Sequence, residues 1–258
     1  MTTNALTAKN LTVSFGGLKA LDGLNLNVEL GQFLGLIGPN GSGKTTFFNV
    51  LTGIYKPTNG TVLLGETDIT GATPNQIYEF GITRTFQRLR LAPTLSVLDN
   101  LILGNQRNLH LGFIGNIFNR KRLRREIASQ TEQSRELLGR FSSGLVSKLY
   151  EPITALSMID RRRVEVCRAL ISDPKILLLD EPSAGMTHDE TSALMNELLA
   201  WRDQHKELSI ILIEHEMDLI DRICDRCVVL NYGQKIAEGT YQEVSNDRMV
   251  REAYLGED

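Results

Sequence analysis

Apolar and polar residues alternate strictly along "LNLNVEL", residues 24–30, which predicts a half-buried strand. Leu11, Val13 and Phe15 alternate in the same way before it. "FLGLI", 33–37, is a short apolar run that stops at glycine and predicts a buried strand. "TTFFNVLTG", 45–53, then reads as a helix ending at Gly53. From about residue 89 to 150 apolar residues take helical spacing, charges thicken and strand-like runs vanish, which predicts a helical insertion. "KILLLD", 175–180, returns to a buried strand, and Leu194, Leu198 and Trp201 follow at i, i+4 and i+7 on a helix. "SIILI", 209–213, is another buried strand, and "CVVLNYGQKIAEG" reads as a hairpin turning near Tyr232-Gly233. Strands alternating with helices imply an α/β fold whose mostly parallel sheet is covered on both faces.

The chain has 258 residues, 41% of them hydrophobic and 23% charged, enough for one α/β domain or a core with a subdomain. A net charge of −3 provides no global basic field for nucleic acid or anionic lipid, so no nucleic-acid partner is expected. The one basic run, "NRKRLRR" at 119–125, reads as a solvated helix face. The opening "MTTNALTAKNLTV" lacks the basic start and apolar stretch of a signal peptide. No apolar run approaches the roughly 18 residues that span a bilayer. The expectation is a cytoplasmic protein that reaches a membrane only by docking to something embedded there. Cys224 and Cys227 form a single C-x-x-C, with no second pair and no histidine at metal spacing, and read as packing. His110, His188 and His205 are scattered and indicate nothing alone.

"GPNGSGKTT", 38–46, fits G-x-x-x-x-G-K-[ST] through Gly38, Gly43, Lys44 and Thr45. Between them stand Pro39, Asn40, Gly41 and Ser42, and Thr46 follows. Glycines let successive backbone N–H groups curl around phosphate oxygens, and the next helix presents its free N–H groups to the same anion. Lys44 is placed to reach the β- and γ-phosphates of ATP, and Thr45 to hold Mg²⁺ through its hydroxyl. The motif lies between a predicted strand and a predicted helix, as this chemistry requires.

"ILLLDEP", 176–182, delivers Asp180 and Glu181 at the carboxyl end of a buried strand, the edge where open parallel sheets bind ligands. Two adjacent carboxylates there are costly unless a cation or water shares them. Asp180 suits the Mg²⁺ shell, and Glu181 suits polarising a water for in-line attack. "SIILIEHEM" repeats the geometry, with His215 just beyond its strand and near a γ-phosphate.

With these motifs in this order the sequence resembles the ATPase subunits of ABC transporters, from Phe15 to the final "VREAYLG". "RTFQRLRLAPTLSVLDNL" at 84–101, the helical insert and the tail look most like the branched-chain and neutral amino-acid importers. The resemblance implies a P-loop NTPase core with a mostly parallel sheet, an antiparallel β subdomain and an inserted helical subdomain. It divides the chain into core residues 1–88, a helical and signature subdomain at 89–164, and core and tail at 165–258. Phe15 then matches the aromatic that stacks on adenine, and Gln87 the glutamine that senses Mg²⁺ and the γ-phosphate. Glu181 matches the catalytic glutamate and His215 the switch histidine. Implied partners are a second ABC ATPase, either a sibling or an identical copy, transmembrane permease subunits and, indirectly, an extracytoplasmic solute-binding protein. The implied place of work is the cytoplasmic face of the membrane, as a peripheral subunit.

The family's signature, Leu-Ser-x-Gly-Gln, falls on "LSMID", 156–160. Leu156 and Ser157 are kept, and Ser157 is the residue that would meet the partner's nucleotide. Ile159 replaces the glycine and Asp160 the glutamine. A β-branched residue keeps phosphate farther from the backbone. Ser157 and Asp160 also spell a capping box, [ST]-x-x-[DE]. At roughly 4 Å, Asp160 and a phosphate charge repel by about 1 kcal/mol in water and about 4 at an effective dielectric of 20. Arg163 and Arg161 stand close enough in sequence to offset part of that. Thr187, in "SAGMTHDE", replaces the Asn or Asp usual in the loop that contacts the partner.

These departures suggest an asymmetric ATPase pair, in which this chain's own cradle works and the site completed by its signature is weak. The alternative is an unusual but competent signature. Rival functions are a soluble ABC ATPase acting on nucleic acid or ribosomes, a non-hydrolysing binding subunit, and a transporter subunit for another solute, such as urea or amides, or for export. Glu181 and His215 argue against the second, because a chain that only bound ATP would not need them.

Overall fold

A computed structural model describes residues 4–108 and 120–255, so His110, Asn119 and Gly256 fall outside it. The chain divides into two compact units. One comprises the described parts of Met1–Arg84, Lys175–Pro182 and Arg202–Asp258; the other those of Thr85–Pro174 and Ser183–Trp201.

The first unit carries both sheets. Strands β1 (Asn4–Phe15), β2 (Leu18–Glu29), β4 (Asn59–Leu64) and β5 (Thr67–Asp68) form an antiparallel sheet in the order β2-β1-β4-β5. The alternation of apolar positions seen in sequence buries Leu11 and Val13 of β1 and Leu24, Leu26 and Val28 of β2. The second sheet runs β10-β9-β3-β8-β7-β6, from β3 (Phe33–Ile37), β6 (Ile82–Arg84), β7 (Ile176–Asp180), β8 (Ser209–Ile213), β9 (Arg226–Asn231) and β10 (Gln234–Gly239). β9, β3, β8, β7 and β6 are parallel, and β10 returns antiparallel as the far arm of the hairpin.

Every residue of β3, β7 and β8 is buried, which is why these strands read as unbroken apolar runs. The helix Lys44–Leu51 places Phe47, Phe48 and Leu51 in one core with Leu24 and Leu26 of the first sheet and Leu36, Leu178 and Ile211 of the second. Burying each Phe is worth about 1.5–3 kcal/mol. Parallel strands put their carboxyl ends on one edge, so the residues after β3, β7 and β8 meet there.

The second unit is helical, with Val97–Gly104, Arg120–Phe141, Ser143–Ser147, Met158–Leu170 and the part of His188–Gln204 up to Trp201. Leu101, Leu138, Phe141, Leu145, Val164 and Cys167 are buried in it. Arg124 and Arg125 of the basic run are exposed. These units differ from the segments 1–88, 89–164 and 165–258 of the sequence reading. Met158–Leu170 is one continuous helix with a buried face on both sides of residue 164, so no boundary falls inside it. Residues 183–201 also fold with the helical unit. Among the described residues no helix is long and apolar enough to cross a membrane.

Candidate active site

β3 ends at Ile37, and the loop 38–43 follows. Gly38 has φ 146° and Gly43 φ 108°, in the region that favours glycine. A Cβ on Gly38 would stand 2.1 Å from the Leu230 carbonyl oxygen, and one on Gly43 2.7 Å from that of Ala20. The loop is thus pressed against β9 and β2, and the hairpin tip braces it: Gly233 N–H donates to the Ser42 carbonyl at 2.9 Å. The helix starting at Lys44 has no side-chain cap and no acidic residue in its first turn, so its N–H groups and positive end are left for an anion.

Lys44 is buried, and its Nζ donates to the carbonyls of Gly38 at 2.7 Å and Pro39 at 2.9 Å. Burial lowers its pKa, while the negative charges of Glu181 and Asp180 pull it back up. Thr45 is exposed on the first turn, with Thr46 half-buried beside it; Asn40 and Gly41 are exposed at the loop's tip.

Asp180 closes β7 and is buried at 7% exposure. Arg84, the last residue of the neighbouring β6, reaches its Oδ2 at 2.6 Å and Asn49 Oδ1 at 2.8 Å. The Arg84 guanidinium also lies 5.3 Å from the centroid of the Phe48 ring. Glu181 takes φ 47°, an uncommon backbone for a residue with a side chain and one that concentrates at functional sites. Its N–H donates to the Ile213 carbonyl at 2.9 Å, and its Oε1 lies 2.9 Å from Nε2 of His215, just beyond β8. Phe15, at the end of β1, is 47% exposed and packs edge-on against Tyr55, with ring centroids 5.1 Å apart.

In the second unit Ser157 caps the helix Met158–Leu170, its Oγ accepting from the Asp160 N–H at 3.2 Å. The Asp160 carboxylate turns instead to Lys148 Nζ at 3.2 Å and Arg163 at 3.7 Å. Arg161 takes no part in this neutralisation: it donates to the carbonyls of Leu156 and Thr154. Arg163 forms its shorter contacts with Glu197, at 2.7 and 3.0 Å. Thr187 caps the helix His188–Gln204 through reciprocal bonds with Glu190, at 2.9 and 3.3 Å, so its hydroxyl has a local role. Gln87 is exposed on the segment that opens this unit. Its carbonyl and that of Phe86 accept from Arg162, at 3.2 and 3.0 Å. Arg162 is itself buried with Glu165 at 2.7 Å. Burial raises the Glu165 pKa, opposed by Arg162 and the Arg90 N–H.

The ABC transporter family matches residues 21–184, and the branched-chain amino acid ATP-binding cassette transporter family matches residues 234–258. The chain belongs to the branched-chain amino acid transporter family of ABC ATPases. Its relatives include the high-affinity branched-chain amino acid transport ATP-binding protein LivG of Escherichia coli K12, 39% identical over 98% of both chains. BraF of Pseudomonas aeruginosa, a protein of the same description, is 37% identical over 98% of both. Among solved structures, the ADP conformation of MJ1267, an ATP-binding cassette of an ABC transporter, has a TM-score of 0.81 and 32% identity, covering 99% of this chain and 100% of that one.

This cassette is therefore an ATP-binding ATPase, a subunit of an ABC transporter. Thr45 on the first helical turn and Asp180 at the end of β7 fit a magnesium nucleotide: a threonine hydroxyl and a carboxylate are the hard oxygen donors that Mg²⁺ takes alongside phosphates. Among the described residues no three His, Cys, Asp or Glu side chains form a metal cluster of their own. Sequence reasoning missed Arg84, Lys148 and the Arg162–Glu165 pair. Only Arg84 left a signal, a basic residue at a strand's carboxyl end inside "RTFQ".

Proposed function

We propose that this cassette hydrolyses MgATP to drive a permease that imports branched-chain or neutral amino acids. The observation that carries the reading is the contact between Glu181 and His215 at the ends of adjacent strands, on the edge where Lys44 opens its helix. The loop 38–43 with Lys44, Thr45 and Thr46 binds the phosphates, and Phe15 offers an exposed ring to the adenine. Thr45, Asp180 and Gln87 would hold Mg²⁺, which neutralises phosphate charge when bound. Glu181 accepts a proton from the attacking water, and His215, hydrogen-bonded to it, fixes the carboxylate's direction. Gln87 reports γ-phosphate occupancy to the helical unit, and the 87–103 region receives the permease at the cytoplasmic face of the membrane. The amino-acid substrate rests on the relatives named above and on the tail at 234–258.

The partner is a sibling ATPase with an intact signature, which makes the pair asymmetric. Asp160 enters that interface largely neutralised by Lys148 and Arg163, so charge repulsion weighs less than sequence alone suggests. The steric effect of Ile159 carries the asymmetry instead. Two experiments test these readings. Trapping the Glu181→Gln chain with ATP in membranes should co-purify a permease and a second ATPase; recovery of ribosomes or nucleic acid would refute transport. Glu181→Gln here should abolish most turnover of the purified pair, while the same change in the partner costs little; equal losses would rule the asymmetry out.

A further inference from the structure

The C-x-x-C at 224–227 has no part in the nucleotide site, and its spacing alone reads as packing. The structure brings its two sulfurs together. The helix Met217–Ile223 ends at Cys224, whose backbone is extended, the chain bends at Asp225, and β9 begins at Arg226. Cys227 stands beside Gly35 in the parallel register of β9 and β3. A Cβ built on Gly35 would lie 3.1 Å from Cys224 Sγ and 3.3 Å from Cys227 Sγ. Gly35 is absent from the positive-φ residues, so glycine is needed here for room rather than for backbone freedom. Both sulfurs share the space of one missing side chain, and the Cys224 thiol hydrogen-bonds to Cys227.

That hydrogen bond holds the Cys227 thiol below its usual pKa and raises that of Cys224. The thiolate is the nucleophile in disulfide exchange, so the raised pKa of Cys224 makes its attack slow at neutral pH and faster as pH rises. Cys227 is fully buried, whereas Cys224 is half-buried beside exposed Asp225. The third cysteine, Cys167, is fully buried in the other unit, and burial pushes its thiol well up.

We propose that Cys224 and Cys227 are a reversible modification site, closing to an intramolecular disulfide in exchange with a low-molecular-weight disulfide. Cys224, the less buried of the two, loses its proton to solvent, attacks one sulfur of the small disulfide and expels the other as a small thiolate. Cys227, after losing its proton to solvent, attacks Cys224 Sγ and expels the second small thiolate. Two cysteine thiols are oxidised, one small disulfide is reduced, and the two protons released end on the two small thiols. The bond fastens the end of the helix that follows His215 to the root of β9.

The test is to incubate the reduced full-length chain with oxidised glutathione, quench with N-ethylmaleimide, unfold it, and measure intact mass and tryptic peptides. Cleavage at Arg222, Arg226 and Lys235 separates Ile223–Arg226 from Cys227–Lys235. The expected product lacks two of the N-ethylmaleimide groups that the quenched reduced chain carries and yields these two peptides joined, released by dithiothreitol, with Cys167 in neither. Cys224→Ser should lose that product altogether. Glutathione adducts without ring closure, cross-links between chains, two free thiols at 224 and 227, or the same mass loss in Cys224→Ser would each overturn the proposal.

Discussion

Nε2 of His215 lies 2.9 Å from Oε1 of Glu181 across a sequence gap of 34 residues. The strands that deliver them are adjacent and in register, with Asp180 opposite Ile213, so the contact follows from sheet order. If the two act as a unit, their losses do not add. Glu181→Gln should cut phosphate release by about 10²–10⁴-fold, and adding His215→Ala should reduce it little further. Because the His215 side chain is 47% exposed, each change should move the unfolding free energy by under about 1 kcal/mol. Steady-state phosphate release and urea titrations of the two single variants and the double check both points.

Arg84 and Asp180 form an almost fully buried ion pair, their side chains 5% and 9% exposed. Removing one partner strands the other, so Arg84→Ala should cost about 3–5 kcal/mol of stability. Arg84→Lys should recover only part of this, since an ammonium does not reproduce the fork that engages Asn49 and Asp180 together. Chemical denaturation measures both losses.

Arg162, only 1% exposed, holds the carbonyls of Phe86 and Gln87. Arg162→Ala leaves Glu165 without its ion partner and should destabilise the helical unit by about 3–5 kcal/mol. Hydrogen exchange should rise first at residues 86–90, ahead of the helix Val97–Gly104. Uniform acceleration across the unit would show that Arg162 does not anchor this segment.

Asp160 leans on Lys148, twelve residues before it. Lys148→Met should therefore weaken the site that this signature completes, without altering ATP affinity at the chain's own cradle. Ile159→Gly should act the other way, raising turnover of the pair toward about twofold as a second site becomes competent. The substitution costs about 1 kcal/mol of helix propensity at most, which a thermal melt will register. Turnover of Lys148→Met should stay close to that of the unchanged pair, because the site it weakens contributes little, and unchanged turnover in Ile159→Gly would mean that the signature is not limiting.

Much of the site was legible in sequence because its parts are local. "GPNGSGKTT" needs only a strand before it and a helix after it, and "ILLLDEP" announces a buried strand with acids at its end. The elements left unread were short or lacked a clean period. β6 has three residues, β5 has two, and Pro74–Phe80 buries only Ile77. Arg161 and Arg163 looked equally placed to meet Asp160, yet only Arg163 does. A one-residue step along a helix rotates a side chain by about 100°, and spacing does not say where each finds a partner.

By itself, then, the sequence determined the alternation that makes the strands, the glycines that bend the phosphate loop, and the residues arriving at each strand's carboxyl end. Tertiary structure alone decided the pairings: Arg84 with Asp180 across 96 residues, Arg162 with the backbone of Gln87 across 75, and two sulfurs meeting over Gly35. The physical reason is one of range. Backbone sterics and hydrophobic period act over a few residues, whereas a buried charge must be satisfied by whatever strand order and helix packing bring within about 3 Å.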